Sequence, residues 1–550
     1  MQTNDIVNDL KSLMQGDVSV EENDLELNAR DTSLFYLKPS IVVYPKDVND
    51  VKNLLSYVSK KKEEGADISV TGRSAGTDMT GGPLTQSIVV SFTKYMNKML
   101  DLNENEAKAE TGMFYRDFEK ETLGKMGWIM PSYPASRELC AIGGIVSNNS
   151  GGEKTLVYGK TEKYIKELDV VFANGENSTI KSLNKEELEQ KINENTESGR
   201  IHREVFNLIK ENEGLISKSK PTVSKNSSGY FLWNVYDKEK EVFDLNKLIV
   251  GSQGTLSLVT AAKLVGVKPK THSRMIVMFL KEVKDIGVIV NKMLLHNPET
   301  IESYDDHTFK IAMKFLPDIA KKMGGSMISL GIQFLPELWM AITGGVPRII
   351  LMAEFTGDNE KEVIKQTEFA YEDLKQFNCP IKMTKRESDA KKYWTFRRES
   401  FALLRTKLKG YRTAPSVDDI IVHVNDLPEF LPKLQTVFDK YDLIYSVAGH
   451  MGNANFHIIP LIDIHKEGII DTIHKMMDEV YDLVISYKGS ISGEHNDGLL
   501  RTSYLPKMFG DEMMRVFEKT KDIFDPKGIL NPGKKVRGDR DFAFSHVDKK

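Results

Sequence analysis

The feature that most restricts this chain is a glycine-rich loop, Thr71-Gly72-Arg73-Ser74-Ala75-Gly76-Thr77-Asp78-Met79-Thr80-Gly81-Gly82, between two strand-like runs, Ile68-Ser69-Val70 and Ile88-Val89-Val90-Ser91-Phe92. Closely spaced glycines let backbone N–H groups approach and cradle a phosphate, because no Cβ blocks the way and unusual dihedrals cost little. The loop passes from strand to strand, whereas a nicotinamide-type dinucleotide fingerprint opens a helix, so that fold is excluded here. A second segment, Ala141-Ile142-Gly143-Gly144-Ile145-Val146-Ser147-Asn148-Asn149-Ser150-Gly151-Gly152, precedes strands that include 168–173 and the hairpin turn Asn174-Gly175. Singly, either segment reads as a turn. Two of them, with Thr, Ser and Asn supplying side-chain donors, point to a diphosphate-bearing ligand.

A chain of 550 residues exceeds what one hydrophobic core holds, so it divides. Residues 1–40 read as a polar helical lead-in, and 41–265 as a unit that begins with the strand 41–45 and a helix over 48–62. After 248–260 the pattern changes to strands alternating with long amphipathic helices, which sets a boundary near Gly266 and a second unit over 266–500. Residues 501–550 form a C-terminal segment with the turn cluster Asp525-Pro526-Lys527-Gly528-Ile529-Leu530-Asn531-Pro532-Gly533 and then a frayed, charged tail. The charged run 181–200 has helical spacing and reads as a solvated helix.

Composition excludes several partners. A net charge of −4 in mixed segments gives no field to attract nucleic acid. Cys140 and Cys379 are too few for a disulfide framework or a four-thiolate iron–sulfur cluster. The start, 1–22, lacks the basic-then-apolar pattern of a secretory signal, so a reducing, cytoplasmic location is expected. The apolar stretch 330–355 is broken by Pro336, Glu337, Pro347 and Arg348, so no transmembrane segment is expected. Peripheral contact with a membrane stays open.

A second constellation is Gly449-His450-Met451-Gly452-Asn453-Ala454-Asn455-Phe456-His457, with Ser492-Gly493-Glu494-His495-Asn496-Asp497-Gly498 further on. Two imidazoles and a carboxylate make a three-ligand divalent site that leaves positions open for substrate. Two histidines at this spacing also suit structural or surface roles. A third element is Tyr393-Trp394-Thr395-Phe396-Arg397-Arg398-Glu399, where a planar guanidinium suits a carboxylate.

The first loop, Pro134-Ala135-Ser136, 142–152, Tyr158-Gly159 and 251–260 together resemble the FAD-binding half of the vanillyl-alcohol oxidase and p-cresol methylhydroxylase flavoprotein superfamily. The histidine segments and the 525–533 ending resemble the C-terminal domain of FAD-linked D-2-hydroxy-acid dehydrogenases of the D-lactate, glycolate and D-2-hydroxyglutarate types. The resemblance implies an α+β fold: a bipartite FAD-binding domain, an α+β substrate (cap) domain with an antiparallel sheet, and a C-terminal helical segment returning to the flavin. It implies FAD contacts from Arg73, Ser74, Ala75, Gly76, Thr77, Asp78, Gly81 and Gly82, from Pro134 and Ser136, from Ile142, Gly143, Gly144, Asn148, Ser150 and Gly151, and from Gly159, Gly254, Thr255 and Asn531. No residue from 71 to 82 is histidine, so non-covalent FAD is expected.

The same resemblance implies that His450, His457 and Glu494 bind a divalent metal (zinc, manganese or iron), that His495 is the base, and that Arg397 clamps the carboxylate of a small 2-hydroxy acid. Arg405, Arg412 and Arg501 remain alternative clamps. The chain departs from the usual pattern at Ser74 and Asp78, where glycines are more common, and at Asn453, Ala454 and Asn496, where the family more often has Asp, Gly and Gly. The variant around Glu494, His495 and Gly498 resembles members fused to an iron–sulfur domain, which implies a separate iron–sulfur partner. Two other functions stand beside this one: a redox-neutral flavin transferase of the alkylglycerone-phosphate synthase kind, and an FAD-holding subunit whose partner does the chemistry.

Overall fold

The computed structural model describes residues 3–306 and 347–549, apart from 387, 388, 392, 396 and 399–410. Residues 330–346 of the apolar stretch, and Phe396, Glu399 and Arg405, lie outside the described residues. In the first sheet the strands Ile41–Tyr44, Ile88–Ser91 and Val70–Arg73 run parallel, with Ile88–Ser91 in the middle. Ile41, Val42, Val43, Ile88, Val89 and Val90 are all buried, as suits parallel strands covered on both faces. The helix Val48–Glu63 starts where the Asp47 carboxylate accepts the N–H groups of Asn49 and Asp50, and it buries Val51, Leu54, Leu55 and Val58 on one stripe.

A second sheet holds five antiparallel strands in the order Met99–Leu102, Glu106–Glu110, Leu258–Val265, Ile165–Val171 and Asn177–Lys181. Its last two strands meet at the Asn174-Gly175 turn, where Gly175 takes φ +86°. The third sheet is antiparallel throughout its described strands; its centre runs His272–Leu280, Ile349–Gly357, Thr300–Asp305, Ile444–His450 and Asn455–Ile462. The helices Ile286–Leu294, Glu360–Leu374, Leu427–Phe438 and Ile469–Ser486 follow its strands in sequence and bury apolar stripes. Parallel strands in one layer and antiparallel sheets with helices in the others make the fold α+β.

The helix Leu505–Phe524, interrupted at Gly510, brings the chain back to the first sheet. There the Val70 N–H donates to the Ile529 carbonyl at 2.7 Å and the Asn531 N–H to the Val70 carbonyl at 2.9 Å, so 529–531 extends the open edge of Val70–Arg73.

Several local expectations are corrected. The lead-in is not purely helical: Asp17–Ser19 pairs antiparallel with Ile41–Tyr44. The second glycine-rich segment is itself a helix, Ile142–Asn148, and glycine at 143 lets that helix press against Thr111, whose Cβ would lie 2.7 Å from an added Cβ. The run 181–200 holds the helix Lys185–Ile192, which buries only Leu188 as a solvated helix does, and then the start of Glu197–Glu211, which continues past the run and buries Ile201, Val205 and Leu208 at i, i+4 and i+7. The charged tail is pinned: buried Asp548 pairs with Arg30 at 2.8 Å and Arg412 at 3.0 Å, and Phe544 and Val547 are buried.

Buried His202, on Glu197–Glu211, has its Nδ1 2.7 Å from the Ser198 carbonyl oxygen, and burial pushes its imidazolium down to about 4. An unfolded histidine takes up its proton near 6.5. As pH falls from there towards 4, the unfolded state therefore binds the proton first, and stability drops by up to about 3 kcal/mol from this group. Melting temperatures from pH 7 to pH 4.5 should fall less steeply in His202→Gln than in the wild type.

Candidate active site

Arg73 closes its strand and its guanidinium is buried, with Nη2 donating to the Arg30 carbonyl at 2.7 Å. Its Nη1 is buried without a hydrogen-bond partner among the described residues. Gly76 lies directly against this guanidinium at φ +68°, where a Cβ would collide with it. A buried cation fork beneath a glycine turn fits a diphosphate. Asp78 does not oppose this, because its carboxylate faces its own loop. It accepts from the Thr80 N–H at 2.5 Å, the Thr80 hydroxyl at 2.7 Å and Gln253 Nε2 at 3.3 Å.

The fold gathers most of the implied cofactor residues. Gly143 and Gly144 face Ser74, whose hydroxyl donates to the Thr111 carbonyl at 2.9 Å. Asn531 ties both ends of the first loop to a second segment: its Oδ1 accepts from the Thr71 hydroxyl, and its Nδ2 donates to the carbonyls of Gly82 at 3.0 Å and Gln253 at 2.7 Å. A Cβ on Gly152 would meet Pro134 Cα at 3.4 Å. Three positions offer less. The Thr255 hydroxyl is engaged with Tyr230 and the Ser252 carbonyl, the Ser136 carbonyl accepts from the Leu139 and Cys140 N–H groups, and Gly159 faces Lys163.

The second segment runs directly into the histidine constellation. Asn148 Nδ2 donates to the Glu494 carbonyl at 2.8 Å, and a Cβ on Gly151 would stand 3.2 Å from Glu494 Oε2. Three imidazole Nε2 atoms converge on Glu494 Oε1: His450 at 3.1 Å, His457 at 3.4 Å and His495 at 3.9 Å. On each ring the opposite nitrogen faces a carboxylate. His450 Nδ1 is 2.7 Å from Glu302, while His457 Nδ1 at 3.1 Å and His495 Nδ1 at 2.7 Å share Asp418. This fixes the rings with Nε2 turned inward, as carboxylates behind metal-bound histidines do.

Two ligand atoms about 2.0–2.1 Å from a tetrahedral metal lie about 3.3 Å apart, so the 3.1 and 3.4 Å spacings fit a metal held by His450, His457 and Glu494. Asp419, His457, Glu494 and His495 also gather within 4.8 Å of one another. Asp419, however, has both oxygens engaged: Oδ1 accepts from Asn455 Nδ2, and Oδ2 accepts from the Ser492 hydroxyl and the N–H groups of Glu494 and His495, all at 2.7–3.0 Å. It shapes the 492–495 loop. His495, the farthest from Glu494 Oε1, is also the most exposed of the three rings at 19%, against 6% and 13%.

Burial disfavours every charge here, but the charges answer one another. Burial would raise the Asp418 carboxyl, and the imidazoles of His495 and His457 hold it far below its usual range. Burial opposes a charged His457, yet Asp418 and Glu494 push it up to about 10; Asp418 and Asp419 likewise raise His495.

Residues 39–181 match the family model of the FAD binding domain, and residues 269–535 match that of FAD linked oxidases, C-terminal domain. The chain carries both an FAD binding domain and the C-terminal domain of FAD-linked oxidases. It is 24% identical to D-2-hydroxyglutarate dehydrogenase of Escherichia coli (strain K12), over 96% of this chain and 52% of that protein, so it spans about half the length of that relative. It is 25% identical to D-lactate dehydrogenase of Anaerostipes hadrus, over 90% of this chain and 89% of that one. The solved structure of p-cresol methylhydroxylase with substrate bound has the same fold, at a TM-score of 0.67 and 14% identity, over 97% of this chain and 96% of that one.

Arg397 is joined to the cluster, with Nη2 2.5 Å from the same Glu302 carboxylate that meets His450. The alternatives stand elsewhere. Arg501 is buried and donates to the carbonyls of Asp418 and Asn496, and Arg412 is bound to Asp548. The departures at 454 and 496 have a visible consequence, since Ala454 sits at φ +51° and Asn496 at φ +72°, the left-handed backbone that glycine adopts freely. Asn453 hydrogen-bonds Ser224 and stands outside the cluster. Sequence reasoning missed Asp418, Asp419, Glu302 and Lys225. A signal existed for one pair, since Asp418-Asp419 interrupts an apolar run between Val417 and Ile420-Ile421-Val422.

Proposed function

We propose that this chain oxidises a small D-2-hydroxy acid, of the D-lactate, glycolate or D-2-hydroxyglutarate class, to the 2-oxo acid. The observation that carries this reading is the convergence of His450, His457 and His495 on Glu494, with each ring oriented by a carboxylate from behind. Residues 41–265 act as the FAD-holding unit and 266–500 as the substrate-facing unit, with 501–550 closing the FAD side.

FAD supplies the hydride acceptor at N5, and a divalent cation held by His450, His457 and Glu494 supplies a Lewis acid for the hydroxyl oxygen. The residues of this chain do the rest. Arg397 Nη2 is held at 2.5 Å from Glu302, which sets a guanidinium beside the cluster to orient the substrate carboxylate. His495 Nε2 takes the hydroxyl proton, and Asp418, 2.7 Å from Nδ1, stabilises the imidazolium that results. One C–H bond breaks with its electron pair leaving as hydride, one O–H bond breaks with its proton leaving to His495, and the C=O bond forms between them.

A redox-neutral flavin transferase would turn over without an electron acceptor and keep its activity on chelation. Reduced FAD must pass its electrons to an acceptor, for which we propose an iron–sulfur partner; the two cysteines of these 550 residues are too few to hold a four-thiolate cluster here. Among the described residues no helix is long and apolar enough to cross a membrane. Anaerobic addition of D-lactate, glycolate or D-2-hydroxyglutarate to the FAD-loaded protein should bleach the oxidised flavin band, and chelation should abolish the bleaching. Absence of bleaching with all three acids would overturn the assignment.

A further inference from the structure

Glu494 has two carboxylate oxygens, and the second is also held. Lys225 is buried, and its Nζ donates to Glu494 Oε2 at 2.9 Å and to Asn455 Oδ1 at 3.0 Å. The lysine comes from the segment 220–230, within the unit proposed above to hold FAD, whereas Glu494 and Asn455 belong to the C-terminal half. Asn455 passes the connection on, since its Nδ2 donates to Asp419, whose Oδ2 holds the Glu494 and His495 N–H groups. A second buried lysine from the same unit, Lys160, donates to the Gly493 carbonyl at 3.0 Å and fixes the same loop. Gly151 lies against Oε2 from the remaining direction, where a Cβ would come within 3.2 Å.

We infer that Lys225 is a positioning residue for the metal ligand Glu494: it retains Oε2 and leaves Oε1 as the one oxygen facing the histidines. The inference rests on the metal reading given above. A buried ammonium needs a partner, and a carboxylate gripped on one oxygen can neither rotate nor offer both oxygens to a cation. Outer partners of this kind set metal affinity as well as ligand orientation. An ion pair that served the fold alone would lower stability and leave metal affinity untouched.

The test uses the full FAD-loaded chain, stripped of metal and titrated with zinc against a chromophoric chelator. Lys225→Met and Lys225→Gln should each bind zinc roughly 10- to 100-fold more weakly than the wild type at unchanged FAD content, and Lys225→Arg, which keeps the cation, should restore affinity to within a few-fold. Zinc affinity equal to the wild type in both neutral variants would overturn the inference while leaving the metal reading intact. If both neutral variants fail to retain FAD, Lys225 belongs to the fold and the inference is also overturned. A wild-type protein that binds neither zinc, manganese nor iron would remove the metal reading itself and this inference with it.

Discussion

Replacing His495 with alanine is expected to lower turnover by roughly 10² to 10⁴ while FAD and metal content stay at wild-type levels. The ring has its Nδ1 2.7 Å from Asp418 and its Nε2 3.9 Å from Glu494 Oε1, farther than His450 or His457, and it is the most exposed of the three. Those three facts separate a base from a ligand. The separation is measurable: flavin reduction followed by stopped flow reports the proton-abstracting step, and elemental analysis of the same sample reports the metal. If His495→Ala loses metal along with activity, His495 is a ligand and the set Asp419, His457, Glu494 and His495 is the better description.

Asp418→Asn gives the contrasting result. One buried carboxylate faces the Nδ1 atoms of both His457 and His495, so a single amide in its place disturbs a ligand and the base together. An amide cannot offer acceptor oxygens to two ring N–H groups, so at least one ring loses the partner that fixes its tautomer. Metal affinity is expected to fall roughly 10- to 100-fold, and turnover at saturating metal to fall further still. Size and packing are kept by the substitution, so melting temperature and FAD content report whether the fold has survived. Turnover and metal content both within threefold of the wild type would show that the rings are oriented by other means.

Much of this arrangement was legible in the sequence because the chemistry there is carried by rare residue types. Histidine is scarce in the chain, and His450, His457 and His495 with Glu494 stand in short strings with distinctive neighbours. The glycine loops were legible for a related reason, since a backbone that must approach a ligand excludes side chains, and the exclusion shows in the residues themselves. The supporting acids left little trace. Glu302 stands in a strand that reads as Thr-Ile-Glu-Ser-Tyr, and nothing in that string shows that it faces His450 and Arg397 across the sheet. Lys225 sits in a polar loop whose composition suggests solvent, yet it is buried because Glu494 and Asn455 complete its shell from a distant part of the chain. Asp78 shows the reverse: by charge alone an acid beside a phosphate is unfavourable, but its hydrogen bonds to Thr80 and Gln253 turn the charge into the loop. Pairings across hundreds of residues are tertiary facts, and local pattern does not encode them.

The return of the chain to its first sheet also bears on when the glycine loop is completed. Asn531 fastens the wall of the glycine loop by accepting from Thr71, a residue made 460 positions earlier. During synthesis on a ribosome the strand Val70–Arg73 therefore waits with an uncovered edge until nearly all of the C-terminal half has emerged, and a contact of such separation is slow to find. The wall of the glycine loop is thus completed only after residue 531 has been made, and nascent chains halted before residue 529 would hold an exposed strand edge where the folded chain holds 529–531.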